Sequence, residues 1–241
     1  MRFRLIYLIL VMSIGGQSAA ANELSSCTIT SNYDIYLSGI HTGKMKRVEA
    51  WQGKKASIVS NSKASILGIG TAYSQSAEVS WSDLDHEWIT DKFHQKVSGF
   101  RSRDMKVTFT DGGHQSDVNI DGKASTYISK DIPLRDVDTL SIQIRQNLLQ
   151  GKQAFRLNRQ ASDGIEPYQY QVHQKQIKTF EKWGELEVIP VEQTGAEHVT
   201  FLFAPELEYQ LVEARYHGFI LRGLLTLEDY KSTCEKLETR D

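Results

Sequence analysis

Along most of the chain, apolar and polar residues alternate with a period of two. Tyr73, Ala77, Val79 and Trp81 alternate with Ser74, Ser76, Glu78 and Ser80. Met105, Val107 and Phe109 alternate with Lys106, Thr108 and Thr110, and Tyr168, Tyr170 and Val172 with Gln169, Gln171 and His173. Phe219, Leu221, Leu225 and Leu227 share one parity. Successive strand side chains point to opposite faces, so this pattern predicts antiparallel strands with one face buried and one wet. Turn signals punctuate the runs: His41-Thr42-Gly43, Gln52-Gly53, Asp111-Gly112-Gly113, Asp121-Gly122, Asp163-Gly164 and Thr194-Gly195. Asp-Gly suits tight hairpins because both residues tolerate positive φ. The reading is a mainly β protein with a single large curved antiparallel sheet of about ten strands, a half-barrel or open barrel. A sheet that wide must curl or close to cover its edges.

One segment departs from this period. Leu134, Val137, Leu140, Ile144 and Leu148 recur at helical spacing, Asp131 can cap, Pro133 suits a first turn and Gly151 follows the end. These signals predict one helix over residues 133–149, packed on the sheet. Its apolar stripe fits either the concave side or an outer face. The stretch from Ser60 to Thr71 is rich in Ser, Gly and Ala and reads as a loop or a short helix. Nothing marks a linker or a repeat, so residues 22–241 read as a single β-rich domain.

The N-terminus carries an address. Arg2 and Arg4 precede an apolar run from Leu5 to Ile14, followed by Gly15, Gly16 and the small residues Ala19, Ala20 and Ala21. This is the anatomy of a secretory signal peptide over residues 1–21, cleaved after Ala21. The run is short of the ~20 apolar residues that span a bilayer, and the mature chain holds no candidate transmembrane segment. The reading is periplasmic. Leu24-Ser25-Ser26-Cys27 also resembles a lipoprotein box, so lipid anchoring at Cys27 is the rival. The two cysteines, Cys27 and Cys234, lie near the two ends of the mature chain. In an oxidising compartment such a pair is expected to form a disulfide.

Composition narrows the function classes. The chain has 241 residues, 40% of them hydrophobic and 24% charged, with a formal charge of −2. That is enough apolar content for a large core, and the balance gives no electrostatic reason to expect nucleic acid. Phosphate-binding loops are absent and no cofactor is implied; Gly68-Ile69-Gly70 is only a fragment of such a pattern. Of the seven histidines, His86 and His94 share a parity and were the pair to test for metal binding. Gly112-Gly113-His114-Gln115-Ser116-Asp117 gathers hydrolase residue types without a nucleophile elbow, so no catalytic residue is assigned. Lys44-Met45-Lys46-Arg47 and Lys54-Lys55 read as a solvated face or as contacts for an anionic headgroup. Aromatics are the most usable feature: Tyr36, Trp51, Trp81, Tyr170 and Trp183 are candidate ligand-wall residues in a curved sheet.

Three segments resemble the exported bacterial family known as domain of unknown function 3108. Tyr33-Asp34-Ile35-Tyr36-Leu37-Ser38-Gly39 with His41-Thr42-Gly43 resembles its opening hairpin, and Asp136-Val137-Asp138-Thr139-Leu140-Ser141 with Ile144-Arg145 its central helix. Phe201-Leu202-Phe203-Ala204-Pro205 with Tyr209-Gln210-Leu211-Val212 resembles its late strand pair, with Gln210-Leu211-Val212 where Leu-Pro-Val is usual. The resemblance implies an exported β fold of a Gram-negative cell envelope, similar in outline to periplasmic half-barrel lipoprotein carriers. It implies no activity. The first functional expectation is therefore a non-catalytic carrier for a lipid-like or amphipathic ligand, with a lipid or lipoprotein as partner. The alternative is an envelope assembly module with a filled core that binds another envelope protein, and a hydrolase ranks last.

Overall fold

The structure, a computed structural model, describes residues 26–66, 69–99, 102–218 and 222–234. The signal-peptide reading, the first half of the lipoprotein box, Phe219 and Leu221 lie outside the described residues. The first half of the chain is a meander: β1 (Ser26–Leu37), β2 (Ile40–Gln52), β3 (Lys55–Ile66), β4 (Ile69–Ser82), β5 (Glu87–Gly99), β6 (Arg103–Thr110), β7 (Gln115–Ile120) and β8 (Lys123–Ile128). A two-residue strand, β9 (Leu134–Arg135), leads into the helix α1 (Val137–Leu149). The second half comprises β10 (Ala154–Gln160), β11 (Ile165–Val172), β12 (Gln176–Phe180), β13 (Gly184–Gly195), β14 (Val199–Ala204), β15 (Gln210–His217) and β16 (Arg222–Ser232).

These strands form one 16-stranded sheet in the order β8-β7-β6-β5-β4-β3-β2-β1-β16-β15-β14-β13-β11-β10-β9, with β12 paired to β13 off the path. All pairs are antiparallel except β9 with β10. The count exceeds the ten expected, and two strands, β3 and β4, run through the Ser60–Thr71 stretch read as loop or short helix. There Ser60 is buried against a polar partner, and Ala64 pairs with Thr71. The His41-Thr42-Gly43 turn is also corrected. The β1–β2 turn is Ser38-Gly39, with φ of 49° and 84°. Gly43 instead sits at a bulge inside β2, where a Cβ would lie 1.9 Å from the Lys63 carbonyl oxygen. Asp121-Gly122 does form the β7–β8 turn, with both φ positive.

The helix begins later than expected, and its cap is Asp136 rather than Asp131. The Asp136 carboxylate accepts the backbone N–H of Asp138 at 2.7 Å and of Thr139 at 3.2 Å. Leu134 and Arg135 stay extended because they pair with Asn158 and Arg159, while the buried Arg135 guanidinium donates to the carbonyls of Trp88 and Pro133. The helix lies on the concave side. Ile142 packs with Ile58, Val79, Phe93 and Val107 from the first half of the sheet. Leu140, Ile144 and Leu148 pack with Leu157, Tyr168, Val191 and Phe203 from the second. One amphipathic helix thus packs in the trough between two halves of one curved sheet.

The sheet stays open, but side chains draw its ends together. Ser116 on β7 donates to Gln160 on β10 at 2.6 Å, and Asn158 donates to Ser129 at 3.0 Å. β12 pairs antiparallel with the first half of β13 as a hairpin. Leu186 and Val188 then pack with Leu202, Ala204 and Val212, while Ile189 and Val191 face the interior. Burial on both faces explains the unbroken buried run from Val188 to Val191. The Cys27–Cys234 disulfide expected from the sequence joins the start of β1 to the residue following Thr233, across a sequence separation of 207.

Candidate functional site

Between α1 and the strands β14–β16 the interior holds a cavity of about 310 Å³, within the lower range of small-molecule sites. One wall is apolar: Leu140 and Ile144 from the helix face Phe201, Phe203, Leu211 and Leu225. The other is ionic. Period-two alternation in β2 turns Arg47 and Glu49 inward, and the first three turns of α1 bring Asp138, Ser141 and Arg145 onto the stripe that faces the cavity. A second cavity of about 300 Å³ lies beyond Arg145, walled by Ile29, Trp51, Trp88, Leu149 and the disulfide.

Arg47 organises the ionic wall. Its Nε donates to Glu49 at 2.9 Å, Nη1 to the Asp138 carboxylate, and Nη2 to the Asp138 carbonyl at 3.1 Å. Glu49 also accepts from Trp51 Nε1 at 3.2 Å and from Arg145 at 3.3 Å. Ser60 donates to Asp138 Oδ1 at 2.8 Å, while the buried Asp138 Oδ2 has no partner. Burial alone would lower the Arg47 pKa, but Glu49 and Asp138 outweigh it and raise it. Burial likewise pushes Glu49 upward, and Arg145 and Arg47 outweigh that and hold it below the usual carboxylate range. At the floor, burial pushes the Tyr33 hydroxyl up to about 12; it accepts from Gln210 and donates to the Leu211 carbonyl.

Asp136 lies behind this wall. Burial, followed by the neighbouring Asp138, pushes its carboxyl up to about 6, against hydrogen bonds from Thr139 and Thr90 that lower it. The folded state therefore binds more protons than the unfolded chain between about pH 4 and pH 6. Ionising Asp136 costs stability, so its contribution falls as pH rises through that window. Asn keeps the helix cap without the charge. The stability difference between wild type and Asp136→Asn is expected to move by about 2 kcal/mol in favour of the variant from pH 4.5 to pH 7.5. Urea unfolding at both pH values checks this, and a pH-independent difference would show that the carboxyl titrates normally.

The five aromatics named from sequence disperse. Tyr170 lines the larger cavity, buried, stacked on Phe155 at 4.9 Å and donating to Gln193 at 2.7 Å. Trp51 lines the smaller one, edge-on to Trp88 at 5.0 Å. Trp81 packs behind, 5.3 Å from Trp88. Trp183 donates to the Leu227 carbonyl at 2.8 Å beneath the β12 hairpin, and Tyr36 lies 5.2 Å from His41. These three line neither cavity. The basic runs split as well: Lys54 pairs with Asp83, Lys44 stands 3.8 Å from Asp34, and Arg47 is interior.

The remaining sequence candidates do not converge. His114 bonds the Ser129 carbonyl, Ser116 bonds Gln160, and Asp117 accepts from Thr126. His86 sits in a turn at φ 54°, and His94 pairs with Asp104 at 2.8 Å. Among the described residues, no group of three His, Cys, Asp or Glu is placed to hold a metal ion. Sequence reasoning missed Glu49, Asp138 and Arg145. The available signal was the alternation Met45-Arg47-Glu49-Trp51, a strand face carrying charge beside tryptophan.

Fold and cavity define a β-barrel-like domain in which a helix and a curved sheet enclose an amphipathic interior. The chain is similar to the crystal structure of a β-barrel-like protein of domain of unknown function 1849 from Brucella abortus, with a TM-score of 0.58 at 11% identity, over 86% of this chain and 98% of that one. At that identity the likeness shows the fold alone. No family model matches the chain. No curated protein matches either. The disulfide uses the sulfur that acylation at Cys27 would need, and among the described residues no helix is long and apolar enough to cross a membrane. Both facts are compatible with an exported protein.

Proposed function

We propose that this protein is a non-catalytic periplasmic carrier that holds a lipid-like or amphipathic ligand between α1 and the β14–β16 wall. One observation carries the reading: the larger cavity is apolar on one side and ionic on the other, and it lies between a helix and strands that meet through side chains. Apolar burial drives uptake in such a site, and a few polar groups set orientation. Tyr170 and Trp51 are the sequence-named aromatics that serve as walls. The resemblance to half-barrel lipoprotein carriers agrees with this reading.

Native mass spectrometry of protein purified from the periplasm tests it. A bound species of lipid mass, lost on organic extraction, is the expected result. Ala214 lines the cavity, and Ala214→Phe should fill it and lower occupancy at least about tenfold while the fold persists by circular dichroism. A clean apo mass that takes up no added lipid would overturn the carrier reading. It would favour the envelope-interaction alternative, for which β8 is the supporting observation. That strand ends the sheet order, and Ile128 on it is 65% exposed, features suited to pairing with another chain.

A further inference from the structure

Arg145 is the interior cation that the protein leaves partly unsatisfied. One of its terminal nitrogens reaches Glu49 at 3.3 Å, and its guanidinium lies 5.4 Å from the centre of the Trp51 ring. Its other donors make no hydrogen bond among the described residues. The two other arginines of the cavity wall each have two carboxylate partners. Arg47 uses Nε and both terminal nitrogens on Glu49 and Asp138. Arg159 is held by Glu166 at 2.5 Å and by Glu197 at 3.4 Å. A guanidinium carries five N–H donors in a planar fork that matches an oxyanion, so the unused arm of Arg145 is an anion receptor looking for its partner.

Position supports the same conclusion. Arg145 stands on the helix stripe with Asp138 and Ser141 and lines both cavities, as does Ile142. Its side chain is 15% exposed, so a small group in the cavity can reach it, while water access is limited. An amphiphile whose tail lies along the apolar wall of the larger cavity would end its head at this boundary. Around Arg145 the charged groups are Glu49, which it shares with Arg47, Asp138 on the same helix stripe and, across the smaller cavity, Glu208. Glu208 is itself engaged by the Tyr230 and Ser232 hydroxyls.

We infer that Arg145 receives the oxyanion head of an amphipathic ligand, a carboxylate or a phosphate ester, whose apolar tail fills the larger cavity. The inference rests on the carrier reading and adds the sign of the head group. A hydrogen bond to a charged partner is worth about tenfold to hundredfold in affinity.

The test uses dodecanoate, dodecyl phosphate and dodecanol, matched in chain length, displacing the neutral fluorophore N-phenyl-1-naphthylamine from the full-length mature protein. Either anion is expected to bind at least about tenfold tighter than dodecanol, and the tighter of the two identifies the head as carboxylate or phosphate. In Arg145→Gln that preference should vanish while dodecanol affinity stays within about twofold, and Arg145→Lys should keep part of it. A purely structural Arg145 would move all three ligands together. Equal affinities in the wild type, or an anion preference that survives Arg145→Gln, would overturn the head-group inference and leave the carrier reading intact. Failure of every probe to bind would overturn the carrier reading itself and this inference with it.

Discussion

Replacing Arg47 with methionine is expected to cost about 4 kcal/mol of folding stability, the range found when one member of a buried ion pair is removed. The variant leaves two buried carboxylates, Glu49 and Asp138, without the guanidinium that bonds both. Methionine keeps the apolar stem of arginine but ends before the guanidinium, so the loss includes the space that the guanidinium leaves. Asp138 sits in the first turn of α1, and Arg47 also binds its carbonyl, so the pair ties the helix start to β2 in the middle of the sheet. The loss should appear as a lower urea midpoint, together with easier release of α1 in amide exchange. Arg47→Lys should recover part of the loss, since an ammonium replaces the charge without the fork. Adding Asp138→Asn to the methionine variant should also recover part of it, because Asp138 then carries no stranded charge while Glu49 keeps Arg145 as its partner. A loss below about 1 kcal/mol would mean that the cluster is hydrated enough to tolerate the unpaired carboxylates.

This cluster also shows where the sequence stops being legible. Lys44-Met45-Lys46-Arg47 reads as a basic surface run because charge ordinarily marks the wet side of a strand. Here Met45, Arg47, Glu49 and Trp51 share the interior face, so the alternation was real but its polarity was inverted. Only long-range partners distinguish the two cases: Asp138 lies 91 residues away from Arg47, and Arg145 lies 96 from Glu49. Strands whose inner face is plainly apolar were readable, as with Met105, Val107 and Phe109, all buried. The helix was readable by period, and its C-terminal end held because Gly151 takes a φ of 70°. Its start was missed because Leu134 satisfies the helical spacing while being buried in a short parallel strand. Beyond Tyr170 and the charged face of β2, the cavity had no local signal, since its walls come from β1, β2, β4, α1, β10, β11 and β13 to β16.

Removing the disulfide, by Cys27→Ser with Cys234→Ser, is expected to cost about 5 kcal/mol at most and about 3 kcal/mol at least. The upper figure follows from loop entropy for two residues separated by 207 in sequence. The lower allows for order already imposed at the same ends. Thr28 and Thr233 exchange bonds of 2.9 Å beside the cross-link, and Ile29 pairs with Ser232 in the β1–β16 ladder. That ladder closes the two halves of the sheet onto each other, and without it the helix loses one side of its trough. If the cross-link acts on the unfolded chain, the variant should unfold at lower urea with a larger m value, because its unfolded ensemble is more expanded. An unchanged m value would instead locate the effect in the native state, at the wall that Cys27 and Cys234 share with Trp51 and Trp88. A loss below about 1 kcal/mol would show that the ladder holds the ends unaided. Typical domains are stable by about 5–15 kcal/mol, so a contribution of this size decides whether the chain stays folded in a reducing compartment. A contribution of this kind is available only where thiols are oxidised, which is compatible with an exported protein.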